Sequence, residues 1–239
     1  MQFNSVLLII VFVFFIVGTI SYVLGSINTS IIVTKYFTKK DIRKLGSGNA
    51  GFTNVLRSVG VLPSIIAFAG DFFKTFFAIL ISKKIVSVCF SFFTVCDHSV
   101  LDSLSRYISS ITVLTSGLFV IFGHVYPCFF NFKGGKAIVC LLPFTLLYDF
   151  RVSLLALGVF ILFLVVFKMV SLASIVGTCS LPIFNFLLYI FSGKDLKYVL
   201  TSTAFFVMIS VLVIYKHSGN IKRIKNNTEY KIGSRRNRV

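Results

Sequence analysis

The chain has 239 residues, 56% of them hydrophobic and only 13% charged, which is far more apolar than a water-soluble domain of this length. Its formal net charge of +17 comes from Lys and Arg residues that are divided unevenly between alternate connections of apolar segments. That distribution is typical of membrane proteins and argues against nucleic acid as a partner. The composition therefore predicts a protein that resides in the lipid bilayer.

Seven apolar segments follow one another along the chain, and most approach the roughly 20 residues that a membrane-spanning helix needs. They lie at about 5–24, 61–82, 107–123, 137–150, 152–168, 171–191 and 198–215. The fourth is short and contains Pro143, so six spans with a re-entrant segment is an open alternative. The pattern predicts an all-α, polytopic integral membrane protein of about seven transmembrane helices.

The basic residues also predict the orientation of the chain in the membrane. Alternating spans place most of the 24 Lys and Arg residues on one side, and Lys74 lies inside the second span. Because basic residues favour the cytoplasmic side, the N-terminus is expected outside and the C-terminus in the cytoplasm. We expect a single transmembrane domain at 1–230, followed by a basic cytoplasmic tail at 231–239.

A loop of small and polar residues follows the first span. It has the sequence GSGNAGFTN at 46–54, and Arg57 comes three residues later. Small residues let a backbone approach an anion and aim its N–H groups at it, while Ser, Asn and Arg side chains add donors. The loop therefore predicts phosphate binding, and a flexible basic connection is the alternative.

A second cluster combines Gly123 and His124 with the sequence FKGGK at 132–136. Two glycines between Lys133 and Lys136 leave room for a phosphate to meet the backbone and both ammonium groups. One alternative is a turn that anchors helix ends at lipid headgroups. For His124, a hydrogen-bonded position at the membrane interface is the alternative to a catalytic role.

Two further polar clusters accompany the last two predicted spans. Ser171 and Ser174 lie at the start of a helix, where free N–H groups and hydroxyls can hold an oxyanion. Small residues also serve ordinary helix packing in membranes. His217 and Asn220 follow the last span, within a basic segment that also fits a stop-transfer tail. All four clusters are predicted on the cytoplasmic face, and phosphate binding is the chemistry they share.

Acidic and sulfur-containing residues give little support to other chemistries. Asp71 and Lys74 lie three residues apart near the inner end of the second span, where pairing within the bundle is expected. Glu229 is the sole Glu, so paired-carboxylate catalysis and acidic metal sites are disfavoured. The five cysteines lack metal-binding spacing, and Cys89 and Cys96 either pair in an outer loop or serve as small hydrophobes. We expect no metal and no cofactor, and the absence of a GxSxG motif disfavours a covalent acyl-enzyme.

In this order and spacing, the clusters resemble the bacterial acyl-phosphate-dependent glycerol-3-phosphate acyltransferase family, the PlsY type. The matching stretches are YVLGS at Tyr22–Ser26, DIRKLGSGNAGFTNVLR from Asp41, Asp71 with Lys74, GHVYP from Gly123 with FKGGK, SLASI from Ser171, and KHSGNIKR with Thr228 and Glu229. The chain departs from the usual family pattern at Phe52, Thr75, Ala137 and Asn227. Phe52 is expected to alter the lipid-side pocket, Ala137 bears on the backbone path after Lys136, and Asn227 can adopt a left-handed turn.

The resemblance implies a multi-pass enzyme of the bacterial inner membrane, with its active site facing the cytoplasm. Its reaction moves a fatty acyl group from an acyl phosphate to the 1-hydroxyl of glycerol 3-phosphate, giving lysophosphatidate and phosphate for phospholipid synthesis. The expected partners are these two substrates and the lipid bilayer, without nucleic acid, and protein partners are left unknown. An acyl phosphate is already activated, so orientation and charge stabilisation suffice for transfer.

The resemblance also carries over two sets of site residues. The phosphate-binding set is Ser47, Arg57 and Lys136. The set near the reacting groups is Ser174, His217 and Asn220, with His217 as one candidate base and a substrate phosphate oxygen as another. The residue chemistry above extends the phosphate-binding set to Gly48, Asn49, Lys133, Gly134 and Gly135. The supporting residues are Asn54, Asp71, Lys74, His124 and Ser171.

Two other classes of function remain open at this point. A transporter or channel for a phosphorylated metabolite would also carry basic, glycine-interrupted segments, although here the charges cluster at one face rather than at the midplane. A non-enzymatic membrane scaffold would touch anionic lipids through its basic loops.

Overall fold

The fold was analysed in a computed structural model that describes residues 3–91 and 98–233, with the backbone alone at 3–7, 90 and 98–106. Within these ranges the chain is helical and contains no strand. The helices are α1 Phe3–Ser26, α2 Thr29–Thr38, α3 Phe52–Ser58, α4 Val61–Ser91, α5 His98–Val125, α6 Ile138–Tyr148, α7 Phe150–Phe167, α8 Val170–Phe191, α9 Leu196–Lys216 and α10 Ser218–Lys225. Single turns of 3₁₀ helix occur at Ile42–Lys44 and Cys128–Phe130. Cys96 and the tail from residue 234 lie outside the described residues.

Six helical segments of the described chain are long and apolar enough to cross a membrane. They are Leu8–Thr38, Val61–Cys89, Tyr107–Phe130, Phe150–Phe167, Val170–Phe191 and Leu196–Lys216. The segment predicted as a span at 137–150 forms α6, which has 11 residues. Such a helix rises only about 16 Å, against about 30 Å for the hydrocarbon core of a bilayer. The all-helical membrane fold is confirmed, whereas the count of seven spans and the orientation stay predictions.

Helices α1, α4 and α5 pack together as one group. A buried set of hydroxyls joins them, in which the Ser21 and Ser116 oxygens are 2.8 Å apart and Ser82 donates to Ser116 at 3.2 Å. Small hydroxyl residues let membrane helices approach closely and hydrogen-bond across the interface. Helices α1, α4 and α5 thus form one side of the helical bundle.

Helices α7, α8 and α9 form a second group, and the short helix α6 lies between the two groups, in contact with α4, α5 and α7. The buried Phe144 of α6 stacks on Phe206 of α9, with ring centroids 5.6 Å apart. The apolar core continues through Leu114, Ile121 and Ile209, which are fully buried. Residues along α6, from Ile138 to Thr145, line a cavity beside this helix.

The break between α1 and α2 fixes the loop that follows them. Asn28 is fully buried, and its Oδ1 accepts a hydrogen bond from the Ile31 N–H at 3.1 Å, which caps α2. Its Nδ2 donates to the Ala50 carbonyl at 3.4 Å. Helix α2 and the polar loop at 46–54 are therefore joined by one buried side chain.

Candidate active site

A cavity of about 630 Å³ lies between the two helix groups. Polar and charged residues lining it include Ser47, Asn49, Asn54, Arg57, Asp71, His124, Lys136, Ser171, Ser174, His217, Asn220, Arg223, Glu229 and Tyr230. The apolar lining includes Phe52, Leu56, Phe68, Leu141, Leu142, Ala156, Leu157, Phe160, Leu164 and Leu181. A space with a charged end and an apolar extension suits a ligand that has an anionic head and a hydrocarbon tail.

The loop at 46–54 is held in one shape by Asn54, a buried side chain of α3. Its Nδ2 donates to the carbonyls of Leu45 at 2.9 Å and Asn49 at 3.0 Å. Its Oδ1 accepts from the Ser47 N–H at 3.0 Å. The Gly48 N–H is used within the turn, since it donates to Leu45 at 2.9 Å. The loop is thus a fixed element, with Ser47 and Asn49 on the cavity wall.

Arg43 connects this loop to the FKGGK segment. Its Nε and Nη2 bind the Asp41 carboxylate, with a shortest distance of 2.7 Å. Its Nη1 donates to the carbonyls of Phe130 at 2.8 Å and Lys133 at 3.1 Å. Both donor-bearing edges of this guanidinium are therefore used to hold two loops together.

Gly134 and Gly135 allow a close approach to α5. The Gly134 N–H donates to Val125 at 3.2 Å and the Gly135 N–H donates to the His124 carbonyl at 3.1 Å. A Cβ at either glycine would collide with His124. The two glycines therefore pack against helix α5 and do not line the cavity, and the Lys133 side chain is exposed.

Lys136 reaches the cavity from the end of this segment, and its Nζ donates to Oδ1 of Asn220. Burial, with a smaller contribution from the neighbouring Arg223 guanidinium, lowers the pKa of Lys136 to about 8. Ala137 follows with φ 60°, in the left-handed region, where a residue other than glycine costs about 1 kcal/mol. Ala137, which departs from the usual family pattern, therefore adopts a left-handed turn that a glycine would make without strain.

Glu229 connects the cavity side chains of α8 and α10. Its Oε1 accepts from the Ser171 hydroxyl at 3.0 Å and from Asn220 Nδ2 at 2.8 Å. Its Oε2 accepts from Arg223 Nε at 2.7 Å. Asn227, with φ 55°, makes the left-handed turn expected of it and returns the chain to the cavity. Glu229, Arg223 and Tyr230 were not predicted as site residues from the sequence, although a sole Glu in a basic tail was a usable signal.

His217 lies between α9 and α10 and is buried on the cavity wall. Its Nδ1 is 2.8 Å from the Val213 carbonyl, which can only accept, so Nδ1 carries the proton and Nε2 keeps a lone pair. Burial, and then the positive charge of Lys136, lowers the pKa of His217 to about 4. The imidazole is therefore neutral at pH 7. Ser174, also on the wall, donates its hydroxyl to the Val170 carbonyl at 2.8 Å.

Asp71, Lys74 and His124 form a buried triad between α4 and α5. Lys74 Nζ is 2.7 Å from Asp71 Oδ1 and 3.0 Å from His124 Nδ1, and it donates to the Ile27 carbonyl at 2.8 Å. The predicted pairing of Asp71 with Lys74 is confirmed. The triad ties the break after α1 to both helices, while Asp71 and His124 also reach the cavity wall.

The chain is similar to proteins of one enzyme family. A family model described as glycerol-3-phosphate acyltransferase matches residues 8–227. The chain belongs to this family. A glycerol-3-phosphate acyltransferase of Clostridioides difficile is 36% identical, covering 95% of this chain and 98% of the relative. One of Prochlorococcus marinus is 35% identical, covering 89% of this chain and 94% of the relative.

Solved structures of the family have the same fold. The crystal structure of PlsY (YgiH), an integral membrane glycerol 3-phosphate acyltransferase, in its glycerol 3-phosphate form has a TM-score of 0.71 to this chain. The two are 29% identical, and the match covers 92% of this chain and 96% of PlsY. The lysophosphatidic acid form of PlsY matches with a TM-score of 0.67.

The structure brings most of the predicted site residues of this family member to one cavity. Those on its wall are Ser47, Asn49, Asn54, Arg57, Asp71, His124, Lys136, Ser171, Ser174, His217 and Asn220. Those that do not line it are Gly48, Lys74, Lys133, Gly134 and Gly135. Lys74 was predicted only as a supporting residue. Phosphate binding stays a prediction both for the other four and for the residues on the wall.

Proposed function

We propose that this chain is an integral membrane acyltransferase that transfers a fatty acyl group from an acyl phosphate to the 1-hydroxyl of glycerol 3-phosphate. The products are lysophosphatidate, a precursor of membrane phospholipids, and inorganic phosphate. The observation that carries the proposal is a single cavity that joins an apolar lining to a cation-rich end. Membership of the glycerol-3-phosphate acyltransferase family supports the reaction class and the acceptor.

The charges at the polar end favour two phosphate-bearing substrates. Arg57, Lys136 and Arg223 line the cavity there, and Glu229 is the one carboxylate among the described residues of that end. A surplus of positive charge in a partly buried site requires anions. A phosphate monoester carries about −1.5 to −2 charges at neutral pH. An acyl phosphate brings such a group on a hydrocarbon chain, and glycerol 3-phosphate brings the other.

The reaction needs no covalent enzyme intermediate. The 1-oxygen of glycerol 3-phosphate bonds to the acyl carbon, and the bond from that carbon to the phosphate oxygen breaks. The bonding electrons leave with the phosphate. We assign to Lys136 the stabilisation of the charge that grows on this group, because its ammonium keeps further N–H donors besides the one bound to Asn220.

The hydroxyl proton leaves as the new ester bond forms. His217 Nε2 has a free lone pair and accepts a hydrogen bond from the attacking hydroxyl, which orients it. With its pKa lowered to about 4, however, His217 is a weaker base than a phosphate oxygen, since even a phosphate monoester has a second pKa of about 6. We therefore assign the proton to the departing phosphate and the orientation of the hydroxyl to His217.

We place the polar end of the cavity on the cytoplasmic side of the bacterial inner membrane, with the N-terminus outside. The uneven distribution of Lys and Arg supports this orientation. The domain proposed at 1–230 extends slightly further, because the Ile232 N–H donates to the Lys168 carbonyl at 2.8 Å and Ile232 lines the cavity. The acyl chain then enters from the bilayer and the glycerol 3-phosphate from the cytoplasm.

A direct assay tests the proposal. Protein purified in detergent is given glycerol 3-phosphate with palmitoyl phosphate, palmitoyl-CoA or palmitoyl acyl carrier protein, and lysophosphatidate and free phosphate are measured. We expect product from palmitoyl phosphate, with one phosphate released per lysophosphatidate. Turnover with only a thioester donor would show that the donor is wrong. No product with any donor, together with uptake of glycerol 3-phosphate by vesicles containing the protein, would favour a transporter instead.

A further inference from the structure

Arg57 differs from the other arginines around the cavity in how its guanidinium is held. Arg43 binds one carboxylate and two carbonyls, and Arg223 Nε binds Glu229. Among the residues that the structure describes, no oxygen accepts a hydrogen bond from Arg57. Its five N–H donors are therefore left for a ligand in the cavity, whose wall Arg57 forms.

The ring of Tyr230 holds Arg57 in place. The Arg57 Cζ lies 4.7 Å from the centroid of this ring, within the range of a cation–π contact. The Arg223 Cζ lies 5.8 Å from the same ring. One aromatic side chain thus contacts two cations, and it lines the cavity beside them.

Tyr230 is itself fixed from both sides along the chain. Glu229, directly before it, accepts hydrogen bonds from Ser171, Asn220 and Arg223. Ile232, two residues after it, donates its N–H to the Lys168 carbonyl at 2.8 Å. The ring is therefore a preformed surface. Because Arg57 packs against it, this flexible side chain loses conformational freedom before the substrate binds, so that less is lost on binding.

We infer that Tyr230 is a positioning residue that orients the Arg57 guanidinium for a substrate phosphate while leaving its charge and its N–H donors free. A carboxylate in the same position would also orient Arg57, but it would neutralise the charge and occupy the donors. An aromatic face holds the guanidinium plane without competing with phosphate. The inference rests on the proposed function, since it assigns the ligand of Arg57 to the phosphate of one of the two substrates.

The test compares four substitutions at one position in the full-length protein: Tyr230→Phe, Tyr230→Trp, Tyr230→Leu, and Tyr230→pentafluorophenylalanine introduced by nonsense suppression. The last keeps the shape of the ring but removes the negative potential of its face. KM and kcat are measured for both substrates, and binding of glycerol 3-phosphate and of inorganic phosphate is measured by calorimetry without turnover.

We expect Tyr230→Phe and Tyr230→Trp to stay within about twofold of the unmodified protein, because the ring face is kept. Tyr230→Leu and the fluorinated ring should raise the KM for one phosphate substrate by roughly 3- to 30-fold, as loss of a cation–π contact implies, with a smaller change in kcat. In an Arg57→Gln background, adding Tyr230→Leu should change phosphate affinity by less than about twofold.

Equal KM values for the fluorinated ring and for Tyr230→Phe would overturn the inference, because the face would then contribute nothing. A loss shared by Tyr230→Phe and Tyr230→Leu would also overturn it, since it would implicate the hydroxyl group. The calorimetric arms do not depend on turnover. An inactive wild-type protein would therefore contradict the proposed function, while phosphate affinities across the variants would still decide the role of Tyr230.

Discussion

Two groups of charged side chains border the same cavity, and their charges are balanced differently. In the buried triad, the Lys74 ammonium is matched by the Asp71 carboxylate, the His124 ring and the Ile27 carbonyl. At the polar end, Arg57, Lys136 and Arg223 line the cavity, and Glu229 supplies the one carboxylate among the described residues there. Charges that are paired within the protein are costly to leave unpaired, whereas a surplus of one sign is available to a ligand.

The largest expected effect comes from removing a surplus charge. Arg57→Ala should lower acyl transfer by roughly 100- to 1,000-fold, as expected when a partly buried charge loses its partner. The matched control is Lys44→Ala, because Lys44 is an exposed cation in the 3₁₀ turn that precedes the loop at 46–54 and does not line the cavity. Steady-state assays on folded, purified variants measure the difference. Full activity in Arg57→Ala would remove Arg57 from the site.

Breaking the triad should instead affect stability. Asp71→Asn leaves the Lys74 ammonium buried without its carboxylate, which should cost about 3 to 5 kcal/mol in the free energy of unfolding. Asp195→Asn is the control, because Asp195 caps the exposed start of α9 and Asn caps helices equally well. Unfolding in mixed detergent micelles measures both variants. If Asp71→Asn were as stable as the unmodified protein, the pair of Asp71 and Lys74 would not contribute to the stability of the fold.

The pH dependence of activity should report on Lys136. Its lowered pKa of about 8 means that the ammonium is lost as the pH rises through 8, whereas an ordinary lysine would keep its charge to about pH 10. The kcat/KM for phosphate substrates should therefore fall above pH 8. In Lys136→Arg, which stays protonated, any remaining activity should persist to higher pH. An unchanged alkaline limb in this variant would assign that limb to another group.

The smallest expected effect concerns the apolar part of the cavity. The Phe52 ring lines it and meets Phe68 edge to face at a centroid distance of 5.6 Å. Phe52→Ala enlarges this space and should shift the preference among acyl chain lengths by a few fold, with the KM for glycerol 3-phosphate unchanged. Phe73→Ala is the control, since Phe73 is half exposed and does not line the cavity. Identical chain-length profiles would exclude Phe52 from the acyl pocket.

The long helices could be predicted from the sequence because a span of fixed apolar length is a strong signal. The segment predicted at 171–191 is α8 at Val170–Phe191, and that predicted at 198–215 is α9 at Leu196–Lys216. Short helices gave no such signal. Helix α3 has 7 residues and α10 has 8, so neither length nor hydropathy distinguishes them from loops. Their positions depend on tertiary contacts such as those of Asn54 and Glu229.

The role of a site residue could be predicted from the sequence where its side-chain chemistry allows few roles. It was harder to predict where the role depends on tertiary contacts. Arg57 and Lys136 were expected on the cavity because cations beside small residues favour anions. Glycine at positions 134 and 135 could serve either the close approach of an anion or the close approach of another helix. The sequence does not distinguish these two roles of Gly134 and Gly135. Tyr230 gave no signal, because its role depends on the turn at Asn227 that brings it against Arg57.

The contribution of residues 229–233 to the cavity wall also bears on how the protein is made. A ribosome synthesises these residues after every predicted membrane span, so the cavity wall is completed only after all the spans have been made. A chain that ended at Asn227 would keep all its spans yet lack Glu229, Tyr230 and the backbone bond between Ile232 and Lys168. Insertion of the spans into the membrane therefore does not by itself complete the site, which also needs the turn at Asn227 and the segment that follows it.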